Sequence, residues 1–221
     1  MPGGPDQPRG PDGRWIKGKA AGGFVGAALV AGLMAAANGG DVTTSVGTAL
    51  DTAASQSPAE AETASSREAA KKGNEQQAWQ RLALRQLERE VKNELRCAVQ
   101  SFGQVRQFFV THPCKKLSQV VYALRDKDGD DIVGTVMWVT MPTADDAMQL
   151  EQVEDTYGTG DVTPFTTEIL GVAGIKFTGQ HYRSRRDGSL FVISETEPLH
   201  GRPSDEFLLD VATVLDVLPP P

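Results

Sequence analysis

The sequence predicts an α+β domain built from two successive ββα units, whose strands form a mainly antiparallel four-stranded sheet with helices on one face. Three observations carry this expectation. Asp-Gly turns at 128–129 and 187–188 each separate two runs rich in Val, Ile, Tyr, Phe or Trp. After the second run of each pair a hydroxyl residue, Thr143 or Ser204, opens a stretch of helical periodicity. Between the units lies the longest irregular segment of the domain, marked by Gly158, Gly160, Pro164, Gly171 and Gly174. The match between the units is one of element order; their residues do not align as a duplication.

Residues 1–19 are rich in Pro, Gly and charge and read as a disordered basic tail. Arg9, Arg14, Lys17 and Lys19 against Asp6 and Asp12 leave this tail with a net charge of +2, so the rest of the chain carries −9 of the overall −7. From Ala20 to Gly40 there is no charge at all. A helix of that length rises about 30 Å, enough to cross a hydrocarbon core. The basic flank before it and the acidic, Ser/Thr-rich flank after it orient such an anchor with the C-terminal domain outside. Two alternatives stand beside the anchor: removal at the small-residue site ending at Ala37, which gives a secreted protein, or an Ala/Gly-rich soluble helix. No Cys follows directly, so a lipoprotein anchor is excluded.

Residues 41–74 are small and polar and read as a linker or loosely helical stalk. From 75 to 96, Trp79, Ala83, Leu87, Val91 and Leu95 recur every fourth residue, which predicts an amphipathic helix. Such a helix packs on its own domain or pairs with a second copy, so oligomerisation through 75–96 is an open expectation.

The domain proper runs from 97 to 221. Ser101-Phe102-Gly103-Gln104 has capping-box spacing, and Phe102, Val105 and Phe109 line a short helix that ends before Pro113. Strands are expected at 119–125 and 132–141, joined by the turn at Asp126–Asp131. Strand 132–141 is apolar on both faces, with Val136 and Trp138 on one and Val133, Met137, Val139 and Met141 on the other, so both faces should be covered. Thr143 caps a helix whose apolar positions are Ala147, Leu150, Val153 and Tyr157. Strands at 175–184 and 190–196 flank a turn at 186–189. Ser204 caps a last helix through Leu208, Val211, Val214, Leu215 and Leu218.

The pI of about 5.0 excludes nucleic-acid binding by bulk electrostatics. Cys97 and Cys114 are the only cysteines, and in an exported domain such a pair suggests a disulfide. The sulfurs meet only if residues 97–101 double back along the intervening helix; the alternative is a reactive thiol in His112-Pro113-Cys114. Asp126, Asp128 and Asp130 suggest calcium, but Gly129 and the missing Glu do not fit the EF-hand loop, which leaves a solvated turn. Arg183, Arg185 and Arg186, with Lys176, read as the domain's basic cluster: a solvated hairpin tip, or a contact for an anionic surface. His112, His181 and His200 have no metal-ligand spacing, and His181 reads as a core-edge residue. No nucleophile elbow or phosphate-binding loop is present, and no catalytic residue, metal ligand or cofactor is assigned.

Several motifs resemble a family of uncharacterised actinobacterial membrane-anchored or secreted proteins. These are Ser101-x-Gly103-x-Val105-Arg106-x-Phe108, Pro113-Cys114, Trp138-Val139-x-Met141-Pro142, Gly158-Thr159-Gly160, the run from Phe177 to Gly188 and the closing Leu218-Pro219-Pro220, with Thr44 to Thr52 upstream. The resemblance implies an exported protein and carries no assigned activity. The functional expectation is therefore a non-catalytic, membrane-anchored domain outside the membrane that binds a protein or an envelope component. The alternative is a small enzyme with a site in the 158–174 loop near His181, Asp161 or the arginines.

Overall fold

The computed structural model describes residues 57–156, 158–165 and 175–221. The tail at 1–19, the expected anchor at 20–40 and residues 41–56 lie outside the described residues. Among the described residues no helix is long and apolar enough to cross a membrane.

The chain folds as α+β around one five-stranded antiparallel sheet, in the order β1-β2-β3-β5-β4. The strands are β1 (Arg85–Lys92), β2 (Lys116–Arg125), β3 (Asp131–Thr140), β4 (Tyr182–Asp187) and β5 (Leu190–His200). The helices are α1 (Pro58–Lys71), α2 (Glu75–Arg81), α3 (Gly103–Thr111), α4 (Ala144–Glu154) and α5 (Asp205–Leu215). The two expected hairpins, β2–β3 and β4–β5, lie side by side because β5 pairs with β3.

The expected helix over 75–96 is a correction. Only Glu75–Arg81 is helical; Ala83 then takes a left-handed φ of 53°, and residues 85–92 pair with β2 as the fifth strand. A spacing of four is even, so the residues that share a helix face also share a strand face. The apolar pattern therefore fitted both elements, and the free edge of β2 chose the strand. Leu87 falls at a register shift between Gln86 and Glu88 and is left partly exposed. An amphipathic helix over 75–96 is thus not available for self-association.

The linker expected over 41–74 is corrected at its C-terminal end. Ser57 and Glu60 close a reciprocal capping box, Ser57 N donating to Glu60 Oε2 at 2.7 Å and Glu60 N to Ser57 Oγ at 3.2 Å. Pro58 stands at the first helical position, where its missing N–H costs nothing. The small side chains of α1 permit close approach rather than preventing burial: Ala69 and Ala70 are buried in the core, and Ser66 Oγ donates to Ala78 O at 2.7 Å.

Helices on one face is the third correction. On one side of the sheet Val120, Tyr122, Val136, Trp138 and Val192 pack under α1, α2 and α5. On the other Leu117, Met137, Val139, Phe191 and Ile193 pack under α3 and α4. Val121, Ala123 and Val133 extend that second face beneath Phe165. The physical reason lies in β2 and β3, whose eight central residues are each buried on both parities. At Gly134 the close approach of α5 needs the missing side chain, because a Cβ there would sit 2.6 Å from Leu215 Cδ1. Trp138 Nε1 donates to Leu218 O at 3.0 Å and holds the C-terminal turn against the same face.

The caps expected at Thr143 and Ser204 form, accepting from Asp146 N and Phe207 N at 3.0 and 3.2 Å. Ser101 does not cap α3; the N-cap is Phe102, and Ser101 Oγ instead donates to Cys97 O at 2.8 Å. The strand expected at 175–184 begins only at Tyr182. Before it, Thr178 donates from both N and Oγ1 to Glu197 Oε1, at 2.7 and 2.6 Å, and this tether replaces strand pairing. Arg186 lies within β4 rather than in the turn, which is reduced to Gly188-Ser189 between the paired Asp187 and Leu190.

Candidate functional site

Cys97 and Cys114 are joined in a disulfide, with Cα atoms 6.3 Å apart. The bond is possible because the chain doubles back as geometry required. After β1, Glu94 takes a left-handed φ of 56° and Leu95 N donates to Leu117 O at 3.1 Å. A tight turn follows, with Val99 N and Gln100 N both donating to Arg96 O. The chain then meets the segment after α4: Phe102 N donates to Asp161 O at 3.1 Å and Thr163 N to Gln100 O at 2.6 Å. Here Gly103 and Gly160, with φ of 62° and 111°, face each other backbone to backbone. A Cβ on either would collide with the opposite main chain, so both positions require glycine.

Because Cys114 is bonded, the reactive-thiol reading is overturned. His112 stacks on Phe108 instead, with centroids 4.6 Å apart, and its Nδ1 lies 2.9 Å from Thr111 Oγ1.

An open cleft of about 580 Å³ lies over the disulfide. Its floor is Leu95, Cys97, Ala98, Phe109 and Cys114, and its rim carries Glu94, Arg96, Lys115 and Lys116. Lys115 Nζ donates to Pro142 O at 3.2 Å. Arg96 and Lys116 are exposed and make no ion pair among the described residues. A second cleft of about 570 Å³ lies between α2 and β1, around Trp79, Leu84 and Gln86. Trp79 there is held by Gln86 Oε1 at 3.2 Å and by the edge of Tyr122.

The arginines singled out from sequence are not brought together. Arg183 and Arg185 share one face of β4 and reach toward α5, Arg183 Nε donating to Thr213 Oγ1 at 3.0 Å. Arg185 Nε donates to Asp216 O at 2.7 Å and stands 3.7 Å from Asp216 Oδ2. Arg186 faces the other way and pairs with Glu151 Oε2 at 2.9 Å. Lys176 is exposed, six positions before β4. Strand alternation alone separates Arg185 from Arg186. Burial pushes the Asp216 carboxyl up to about 6, against the pull of Arg185, Arg67 and Arg183.

His181 is buried, with Nδ1 3.1 Å from Thr196 O and Nε2 3.2 Å from Asp205 Oδ1. It joins the segment before β4 to β5 and to the first turn of α5. Residues 166–174 of the loop considered for an enzyme site lie outside the described residues, and neither cleft borders His181 or Asp161. Asp126 Oδ1 accepts from Asp128 N and Asp130 N, both at 2.9 Å, so this carboxylate serves its own turn. Among the described residues no group of three or more His, Cys, Asp or Glu is arranged to hold a metal.

Sequence reasoning missed the basic rim of the cleft. The available signal was an absence: no Asp or Glu occurs between Glu94 and Asp126, in a chain with 29 acidic residues. Arg96, Arg106, Lys115, Lys116 and Arg125 all fall in that stretch. No family model matches the chain, and no curated protein and no solved structure matches it either.

Proposed function

We propose that this chain is a membrane-anchored domain on the outer side of the membrane, without catalytic activity, that binds a protein or an envelope component. The observation that carries the reading is the Cys97–Cys114 disulfide. Such bonds persist in oxidising compartments and are rare where thiols are kept reduced. The charge step across residues 20–40 agrees with it, basic before and acidic after, as does the uncharged run itself. The cleft over the disulfide, with an apolar floor and a charged rim, supports binding as its role. Secretion after cleavage at Ala37 is the alternative that the same disulfide supports.

Fusions to the C-terminus test the compartment. Alkaline phosphatase fused there should be active, and green fluorescent protein exported by the Sec route should be dark. The reverse pair of results ends the reading. Recovery of the protein in the membrane fraction, with residues 1–19 intact by mass, separates the anchor from the secreted form.

A further inference from the structure

The geometry points to α3 and the turn before it as a surface that docks on an anionic phospholipid bilayer. This rests on the anchored reading above and names the envelope component.

Five large apolar side chains are exposed among the described residues, and three of them, Val99, Phe102 and Val110, fall between Cys97 and His112. They are 63%, 56% and 69% exposed, so they stand out from the surface rather than line a groove. Val99 and Val110 are the chain neighbours of Ala98 and Phe109, which line the basic cleft. On α3, Arg106 stands one turn from both Phe102 and Val110 and is itself exposed. Arg96, Arg106 and Lys116 make no ion pair among the described residues. Glu94 is the one acid on the cleft's rim.

Protruding apolar side chains, with Arg106 one turn away and the basic cleft beside them, suit an interface of headgroups and acyl chains. The apolar tips enter the headgroup layer while the cations meet lipid phosphate. An acidic protein would satisfy the cations but would leave Val99, Phe102 and Val110 unmatched unless it offered a complementary hollow. The chain length agrees with a bilayer as occupant. Residues 41–56, even fully extended, reach at most about 55 Å from the end of the anchor, so the domain stays near the membrane.

The test uses the full chain with two kinds of vesicle: phosphatidylcholine alone, and an equimolar mixture with phosphatidylglycerol. Amide hydrogen exchange is followed over 97–112. The expected result is exchange several-fold slower on the anionic vesicles than on the neutral ones, with the difference removed by high salt. In the double variant Arg106→Gln, Lys116→Gln the docking equilibrium on anionic vesicles should fall about 25-fold, from the usual contribution of each basic residue near a charged surface, which removes the several-fold difference in exchange. Phe102→Ser should weaken protection on both sides of that comparison. Equal exchange on the two vesicles overturns the inference. So does protection by soluble polyglutamate on neutral vesicles, which would identify an acidic protein partner. Flotation of the same samples separates the two readings. Flotation with neutral vesicles reports the anchor, and flotation with anionic vesicles alone reports docking through α3 without an anchor. Flotation with neither sinks both.

Discussion

Arg183, Arg185 and Arg186 are neighbours in sequence and are all spent on the fold, whereas Arg96, Arg106 and Lys116 are scattered and form no ion pair among the described residues. The β4 arginines meet Thr213, Asp216 and Glu151, supplied by α5, its C-terminal cap and α4. The second set lies between Glu94 and Asp126, in a stretch without a single acid. A basic run in a strand is divided between two faces and met by whatever helices cover them. Of the basic residues in that stretch, Arg125 pairs with Asp131 just beyond it, whereas Arg96, Arg106 and Lys116 form no ion pair among the described residues. Density of charge along the sequence therefore did not tell which cations stay without an ion pair.

The largest expected effect breaks the platform of the free set. Reducing the disulfide, or replacing both cysteines by serine, reopens the loop closed across the 17-residue separation. In the chain-entropy model this costs about 3 kcal/mol. A fall in melting temperature of roughly ten degrees is expected for a domain of this size. Calorimetry with and without reductant measures it, and an unchanged transition would show that α3 is held without the bond.

A pair of substitutions sharpens the comparison directly. Arg185→Ala leaves the buried Asp216 without its nearest cation and should cost about 2 kcal/mol. Lys116→Ala, at an exposed position without an ion pair, should change stability by less than about 0.5 kcal/mol. Urea denaturation of both variants checks this. Similar losses for the two would erase the distinction between spent and free cations.

The smallest effect concerns the partner of Arg185. Burial raises the Asp216 carboxyl from 3.8 to about 6, so the fold binds that proton more tightly than the unfolded chain does. The contribution of this group is therefore most favourable below the unfolded value, declines as pH rises toward 6, and is lowest above it. Asp216→Asn imitates the protonated form and should stabilise by about 1–2 kcal/mol near neutral pH. The gain should shrink on acidification and vanish below the ordinary carboxylate range. Denaturation curves across that interval read the difference, and a gain independent of pH would place its cause elsewhere than in the proton.

Much of the second half of the fold was legible. Thr143 and Ser204 announced their helices through local hydrogen bonding that needs no tertiary partner, and the Asp-Gly pairs marked both hairpin turns. The two-sided apolar pattern of β3 announced cover on both faces, although helices were expected on one face only. The segment from 75 to 96 was not legible, because a spacing of four satisfies helix and strand alike. α1 was obscured by its small residues, even though Ser57-Pro58-Ala59-Glu60 carried a start signal. Of the candidate surface, the cysteine pair was readable, while Arg96, Lys115 and Lys116 drew no notice and Arg106 entered only as part of a motif.

What the sequence determined by itself was local: caps, turns and the apolar runs of β2, β3 and β5. These follow from hydrogen bonds and residue preferences spanning a few residues, whereas the disulfide, left open beside a reactive thiol, needed the fold to bring Cys97 and Cys114 together. The tertiary structure decided what depends on a distant edge or face. The unpaired edge of β2 turned residues 85–92 into a strand, because its backbone groups needed partners that a helix would have withheld. The packing of α4 and α5 on opposite sides of β4 decided which arginines were neutralised. Whether a cation on a strand is paired depends on what lies across from it in space, which its own run of neighbours does not show.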